Sequence, residues 1–90
     1  MERFAFYEEY DGKGRQLSKV THPKKIIEAE SMLNAIHVYC LVNDLEISHV
    51  NRLPEQDARI YLFRRSLLGE QKNFIFYVRH LTISRTIEES

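Results

Sequence analysis

The stretch RIYLFRR, residues 59–65, decides between two folds for this chain. As part of a helix from 54 to 68, it would follow Pro54 and acidic residues and end at Gly69. Its apolar residues would then point in every direction around the helix and form no core-facing stripe. Its Ile, Tyr and Phe content is typical of a strand. We therefore favour a strand, and the helix from 54 to 68 is the alternative.

The residues around this strand predict further strands. The segment 69–73, GEQKN, would form a turn, and the segment from Phe74 to Ile83 would return as the longest strand of the chain. The segment from Ile47 to Val50 has the composition of a short strand. The C-terminal half of the chain therefore predicts an antiparallel arrangement.

The N-terminus has the pattern of another strand. Residues 4–9 alternate in character and run into Asp11-Gly12, which is a strong signal for a tight hairpin turn. We therefore expect a return segment near 15–20, which is polar enough to be an edge strand or a loop.

One segment carries a helical pattern. Pro23 is tolerated at a first helical position, and Thr21 or His22 would cap the helix. Five residues share one face at spacings of three and four: Ile26, Ala29, Leu33, Ile36 and Cys40. From 38 to 42 the helix is apolar on all sides, so we expect burial on more than one side there. Asn43-Asp44 would end it.

These elements predict an α+β fold: a small, mostly antiparallel sheet of four to five strands with one long helix packed on one face. No linker or repeat divides the chain, so residues 1–90 are expected to form a single domain. Hydrophobic residues make up 43% of the chain, and it has only three Gly and two Pro, which excludes collagen and disordered classes.

The single cysteine and the hydropathy pattern bear on location. One cysteine, Cys40, forms no internal disulfide, which favours a reducing compartment, and we expect a cytoplasmic protein. No apolar run reaches the roughly 18 residues that a membrane helix needs. We therefore expect no membrane partner.

The net charge of zero conceals a sorted distribution. Residues 13–25 and 59–85 are basic, whereas 2–11, 28–57 and the C-terminal end are acidic. Two adjacent basic segments would form one positive face, and interleaved ones would be neutralised by the acidic segments. The sequence leaves both arrangements open.

Motifs of catalysis and metal binding are missing from the chain. It has no glycine-rich phosphate loop and no zinc-binding spacing of Cys and His, so we expect no catalytic residues, no metal and no cofactor. Cys40 follows His37 by three residues, but a free cysteine on an apolar stripe is usually a small buried hydrophobe. Glu30 and His37 are seven apart and would stack on one helical line, either as a rim histidine with its hydrogen bond or as an acid–base pair.

The last two predicted strands carry the clearest surface feature. Aromatic and arginine residues alternate there, and the candidate binding residues are Tyr61, Phe63, Arg65, Tyr77 and Arg79. Such residues are enriched at protein interfaces, and they also stack bases and pair with phosphates. The alternative is that the aromatic residues form the sheet's half of the core.

We therefore expect a small non-catalytic protein that acts by macromolecular contact, with a protein as the main partner, as an inhibitor, adaptor or regulator. A homodimer is also expected, because an open sheet face carries more aromatic surface than one helix can cover. Binding to RNA or DNA is the alternative.

The order of elements resembles the small ribonuclease toxins of toxin–antitoxin systems, which have a long helix and C-terminal antiparallel strands. The resemblance implies a site in which Arg stabilises phosphate charge while His or Tyr moves protons. Its residues would be Arg64, Arg65, Arg79, Tyr77 and His80. The chain departs from this pattern in being neutral overall, where an RNA-cleaving enzyme is expected to be basic.

Overall fold

The structure is a computed structural model that describes residues 1–10 and 22–81. The elements are β1 Glu2–Tyr10, β2 Lys25–Ala29, α1 Met32–Asn43, β3 Glu46–Arg52, a 3-10 helix over Pro54–Gln56, β4 Ala58–Arg65 and β5 Gln71–Leu81. The strands form one antiparallel sheet in the order β2-β1-β5-β4-β3. The α+β fold with an antiparallel sheet and one helix is confirmed.

The deciding stretch is a strand. In β4, buried residues alternate with half-buried ones from Ala58 to Phe63, as expected for a strand with one face on the core. Pro54 opens a 3-10 turn of three residues, not a long helix. The strand prediction is confirmed, and the alternative helix from 54 to 68 is wrong.

The first part of the predicted helix is also a strand. Residues 25–29 form β2, which pairs antiparallel with β1. Ile26 and Ile27 are β-branched and therefore suit a strand. The predicted helix over residues 25–29 is wrong, because pairing with β1 outweighs the spacing of three and four that resembled a helical stripe. The predicted cap residue Thr21 lies outside the described residues.

Local capping fixes both ends of α1. Ser31 is the N-cap, and its Oγ accepts a hydrogen bond from the Asn34 backbone N–H at 3.2 Å. Asp44 ends the helix in a left-handed conformation, with φ of 58°, and its N–H donates to the Cys40 carbonyl. The predicted end of the helix is confirmed.

Burial along α1 differs from the prediction. Ile36 and Cys40 are buried, but Leu33 is 44% exposed and does not belong to the core. The segment 38–42, expected to be buried on more than one side, exposes three apolar side chains: Val38, Leu41 and Val42. The later helix start is the reason, since Ile26 and Ala29 lie on β2 and no longer define the core-facing stripe.

The turn between β4 and β5 comes earlier than predicted. It lies at residues 66–70, and residues 71–73, expected in the turn, belong to β5. The Ser66 Oγ accepts hydrogen bonds from the N–H groups of Leu68 and Glu70, which closes the turn early. Among the described residues, β5 is the longest strand, as predicted. The predicted hairpin turn at residues 11–12, the return segment at 15–20 and the strand end at Ile83 lie outside the described residues.

The core lies between α1 and one face of the sheet. Its largest buried side chains are Phe4, Phe6, Ile36, Ile60, Leu62, Phe76 and Val78. Tyr39 of α1 stacks on Phe6, with ring centroids 4.7 Å apart, and meets Phe76 edge-on at 5.1 Å. The helix therefore packs against the face that carries these phenylalanines. Among the described residues, no helix has the length and apolar character to cross a membrane.

Candidate functional site

The opposite side of the sheet brings the predicted binding residues together. We call it the open face, and its central residues on β4 and β5 are Arg59, Tyr61, Phe63, Arg65, Ile75, Tyr77 and Arg79. The register pairs Arg59 with Tyr77 and Tyr61 with Ile75, and residues paired across strands share a face. All five sequence-predicted binding residues lie here. Arg65 and Arg79 are exposed, as predicted, and the aromatic residues are half-buried.

Guanidinium groups lie over aromatic rings on the open face. The Arg59 guanidinium carbon is 5.8 Å from the Tyr77 ring centroid, and that of Arg65 is 5.7 Å from the Phe63 centroid. Both distances lie within the range of cation–π attraction. These contacts hold the long arginine side chains against the sheet, so the face combines apolar area with positioned donors.

Acidic residues neutralise part of this face. Arg59 donates two hydrogen bonds to the Glu9 carboxylate, at 2.8 Å from Nε and 3.3 Å from Nη2, and this pairing raises the pKa of Arg59. A bulge in β1 between Glu8 and Tyr10 interrupts the regular pairing with β5 beside Glu9. Further along, Arg3 is paired across strands with Glu28. The charge of Arg59 is therefore neutralised, whereas Arg65 and Arg79 are exposed.

A buried carboxylate fixes one end of the face. Asp57 is 3% exposed and accepts hydrogen bonds from the Tyr77 hydroxyl at 2.7 Å and the His80 backbone N–H at 3.0 Å. The hydrogen bond to Asp57 is the main cause of a raised pKa of Tyr77. The Tyr77 side chain is thus held in one orientation before any partner binds.

His80 belongs to the same cluster but faces the core. Its ring stacks on Phe4 at 4.8 Å, its Nδ1 lies 2.8 Å from the Gln56 Oε1, and its Nε2 faces the Glu2 carboxylate. The imidazole is buried between these groups. Its contacts tie the 3-10 turn to β1 and β5, so its role is to hold this end of the sheet together.

The residues implied by the ribonuclease resemblance do not converge. Arg64 points to the helix side, where it donates to the backbone carbonyls of Asn43 at 2.7 Å and Asp44 at 3.4 Å. The Tyr77 hydroxyl is bonded to Asp57, and His80 is buried on the core side. Arg65 and Arg79 lie on the open face, at opposite ends of the paired strands. The geometry places no catalytic set of these five residues at one point.

The helix does not form the acid–base pair considered as an alternative. Glu30 lies before the start of the helix. The spacing of seven residues between Glu30 and His37 therefore does not bring them to the same side of one helix. Cys40 is buried, and burial raises the pKa of its thiol to about 11, which keeps it protonated near neutral pH. Within residues 1–10 and 22–81, no three His, Cys, Asp or Glu residues are placed to hold a metal ion.

Two residues important to this surface were missed in the sequence. Asp57 follows a loop-like segment, and Glu9 lies fifty positions before its partner Arg59. Both residues meet their partners because β1, β4 and β5 pair in one register. The spacing of residues along the sequence does not reveal that register. In the sequence, the only hint for Asp57 is that this acid lies just before the start of the predicted strand at 59–65.

No protein-family model matches the chain, and no curated protein or solved structure matches it either. The residues and charges of the open face are therefore the basis for the function proposed below.

Proposed function

We propose that this chain is a non-catalytic binding protein that uses the open face to contact another protein. The residues that make the contact are Tyr61, Phe63, Arg65, Tyr77 and Arg79. The single observation that carries the proposal is their placement on one face of the sheet, the face opposite α1. The protein would act as an inhibitor, adaptor or regulator of its partner, in the cytoplasm.

The composition of this face supports a protein partner. Aromatic residues and arginines are the residues most enriched at the centres of protein interfaces, where a few of them carry most of the binding free energy. Tyrosine and phenylalanine supply contact area with few rotatable bonds, so they lose little conformational entropy on binding. The hydrogen bond from Tyr77 to Asp57 lowers this cost further, because the ring is already oriented.

The charge balance favours a protein over a nucleic acid. An RNA strand gains affinity from each phosphate that meets a free cation. Here Arg59 is bonded to Glu9. Arg65 and Arg79 remain as the exposed cations near the aromatic residues, which suits a partner that offers one or two acidic side chains within an apolar surface.

RNA binding is the second candidate, because exposed aromatic rings on an antiparallel sheet also stack bases. Affinity capture from the native cell separates the two. The double variant Arg65→Ala with Arg79→Ala should fold normally and recover far less of the protein partner than the wild-type chain does. The captured protein should stay bound at high salt and after nuclease treatment.

The matched control is Arg52→Ala with Lys25→Ala, which removes two exposed positive charges from other parts of the sheet. This control should retain full capture. Recovery of RNA that is lost as salt rises would support the second candidate. Equal capture of the same protein by wild type and the Arg65/Arg79 variant would place the contact on another surface.

A further inference from the structure

A cleft lies between the second half of α1 and the start of β2. Its volume is about 350 Å³, near the lower end of the range for small-molecule sites. We call it the α1–β2 cleft, and its lining residues are Lys24, Lys25, Ile27, Val38, Tyr39, Val42 and Asn43.

The strand register places this cleft on the helix side of the sheet. Lys25 is paired with Phe6 and Ile27 with Phe4, and both phenylalanines are buried in the core. Because residues paired across strands share a face, Lys25 and Ile27 lie on the side that α1 covers. The cleft is therefore separate from the open face and from its protein partner.

One wall of the cleft is apolar and uncharged. Val38 and Val42 lie four residues apart on one side of α1, and they are 44% and 76% exposed. Ile27 faces them from β2 and is half-buried. An apolar body placed between these side chains would remove their surface from water, which is favourable.

The rest of the lining carries positive charge. The Lys24 Nζ donates to the Glu8 carboxylate at 3.0 Å, so Lys24 is already paired. Lys25 is exposed and forms no ion pair with another described residue. Of the residues that the structure describes, no Asp or Glu lines the cleft. An anionic group on a ligand would therefore complement the charge of Lys25.

Tyr39 adds a hydrogen-bond donor to the lining. It is only 4% exposed, yet its hydroxyl has no hydrogen-bond partner among the described residues. Burial, and after it the nearby Glu8 carboxylate, raises the pKa of Tyr39 to about 12, so the hydroxyl keeps its proton. Buried polar groups are usually hydrogen-bonded, so an unpaired donor in a cleft is a place where a ligand oxygen can bind.

The volume limits the size of the ligand. A cavity of about 150 Å³ accommodates benzene, so a cleft of about 350 Å³ has room for an apolar body roughly twice that size. A carboxylic acid of about eight to ten carbons meets this limit.

We propose that the α1–β2 cleft binds a small amphipathic monocarboxylate. The apolar body lies between Ile27, Val38 and Val42, and the carboxylate accepts hydrogen bonds from the Lys25 ammonium and the Tyr39 hydroxyl.

Octanoate is the probe that tests this site. NMR titration of the isotope-labelled full chain should show saturable shift changes centred on the amides of Ile27, Val38 and Val42, with a Kd below about 1 mM. Octanol has the same chain without the charge, and it should bind roughly tenfold more weakly.

Two variants test the polar contacts. Lys25→Met keeps the apolar part of the side chain and removes its charge, so octanoate affinity should fall roughly tenfold while octanol binding stays unchanged. Tyr39→Phe keeps the ring against Phe6 and removes the donor, so it should also weaken octanoate more than octanol.

A matched pair of helix variants tests the apolar wall. Val42→Asp places a negative charge in the wall and should abolish saturable octanoate binding. Leu41→Asp is the control, because Leu41 is also exposed on α1 but does not line this cleft. It should bind octanoate like the wild type, and both variants should melt like the wild type because both positions are exposed.

Three results would overturn the proposal. The first is the absence of saturable shift changes with octanoate up to about 10 mM. The second is equal affinity for octanoate and octanol, since the charge of Lys25 would then have no role. The third is an equal loss of binding in Leu41→Asp and Val42→Asp, which would place the octanoate on the outer side of the helix.

Discussion

The outer surface of α1 and the open face of the sheet expose apolar residues in two different ways. On α1 they are aliphatic, and the twelve-residue helix carries no Asp, Glu, Lys or Arg. On the open face they are aromatic and lie beside three arginines. Arg59 contacts Glu9 and the Tyr77 ring, Arg65 lies over the Phe63 ring, and Arg79 is exposed. The first surface suits a neutral apolar partner surface, and the second suits a partner of mixed polarity.

The contrast shows that apolar spacing alone does not tell which helix face is buried. A helix that is apolar on all sides has two candidate core faces. Packing of Tyr39 on Phe6 and Phe76 selects one of them and leaves Leu33 outside. The sheet has no such ambiguity, because strand alternation separates the two faces cleanly.

The largest expected effect distinguishes the two faces of α1. Ile36→Asp places a charge in the core, where the side chain is fully buried, and should cost several kcal/mol and leave the domain unfolded. Leu33→Asp places the same charge on the exposed side and should cost about 1 kcal/mol or less. Urea unfolding followed by circular dichroism measures both. A Leu33→Asp protein that is unfolded would mean that the helix is rotated about its axis.

The next effect concerns alkaline pH. Burial raises the pKa of Cys40 from 9.0 to about 11 and that of Tyr39 from 10.0 to about 12. The unfolded chain therefore releases these protons first, and folding stability is lost as pH rises from about 9 to about 12. Each group contributes about 2 to 3 kcal/mol to this loss.

Tyr39→Phe is the matched control for this titration. It keeps the ring against Phe6 and removes one of the two titrating groups, so stability should fall less steeply between about pH 10 and 12. Chemical unfolding at a series of pH values gives the two curves. Parallel curves for wild type and variant would contradict burial of the Tyr39 hydroxyl.

A smaller effect is expected at the end of the open face. Asp57→Ala leaves the Tyr77 hydroxyl and the His80 N–H without their acceptor, which should cost about 1 to 3 kcal/mol. The pKa of Tyr77 should also fall toward its ordinary value, since the Asp57 hydrogen bond is the main cause of its rise. Spectroscopic titration of the tyrosines checks this. A variant with wild-type stability and titration would show that Asp57 does not hold Tyr77.

The smallest effect is that of the exposed arginines on stability. Arg65→Ala with Arg79→Ala should change the free energy of unfolding by about 1 kcal/mol or less, because exposed charges contribute little to folding. Thermal melting of the variant beside wild type provides the measurement. A drop of many degrees would mean that these arginines support the sheet.

Parts of this structure follow from the sequence alone. The Ile, Tyr and Phe content of residues 59–65 predicts β4, and the alternation of side chains along a strand places Tyr61, Phe63 and Arg65 on one face. The helix start could not be predicted in this way, because Ile26 and Ala29 fit a helical spacing and a strand equally well. Pairing of β2 with β1 decides between helix and strand, and it joins Ile26 and Ala29 to residues 21 and 27 positions earlier.

The hydrogen-bonded acids of the site were beyond prediction for the same reason. Asp57 meets Tyr77 and His80 only because β4 and β5 pair in one register, and Glu9 meets Arg59 from fifty positions away in the sequence. Such contacts depend on tertiary structure, and a pattern of nearby residues carries no signal of them.

Site-specific photo-crosslinking tests the central claim, that the open face binds another protein. A benzophenone amino acid would replace Tyr61 on the open face or Leu41 on the exposed side of α1, and each protein would be irradiated in the native cell. The account predicts a crosslink to a different protein from position 61 and no crosslink to that protein from position 41. A self-crosslink from position 61, or RNA attached there, would contradict it.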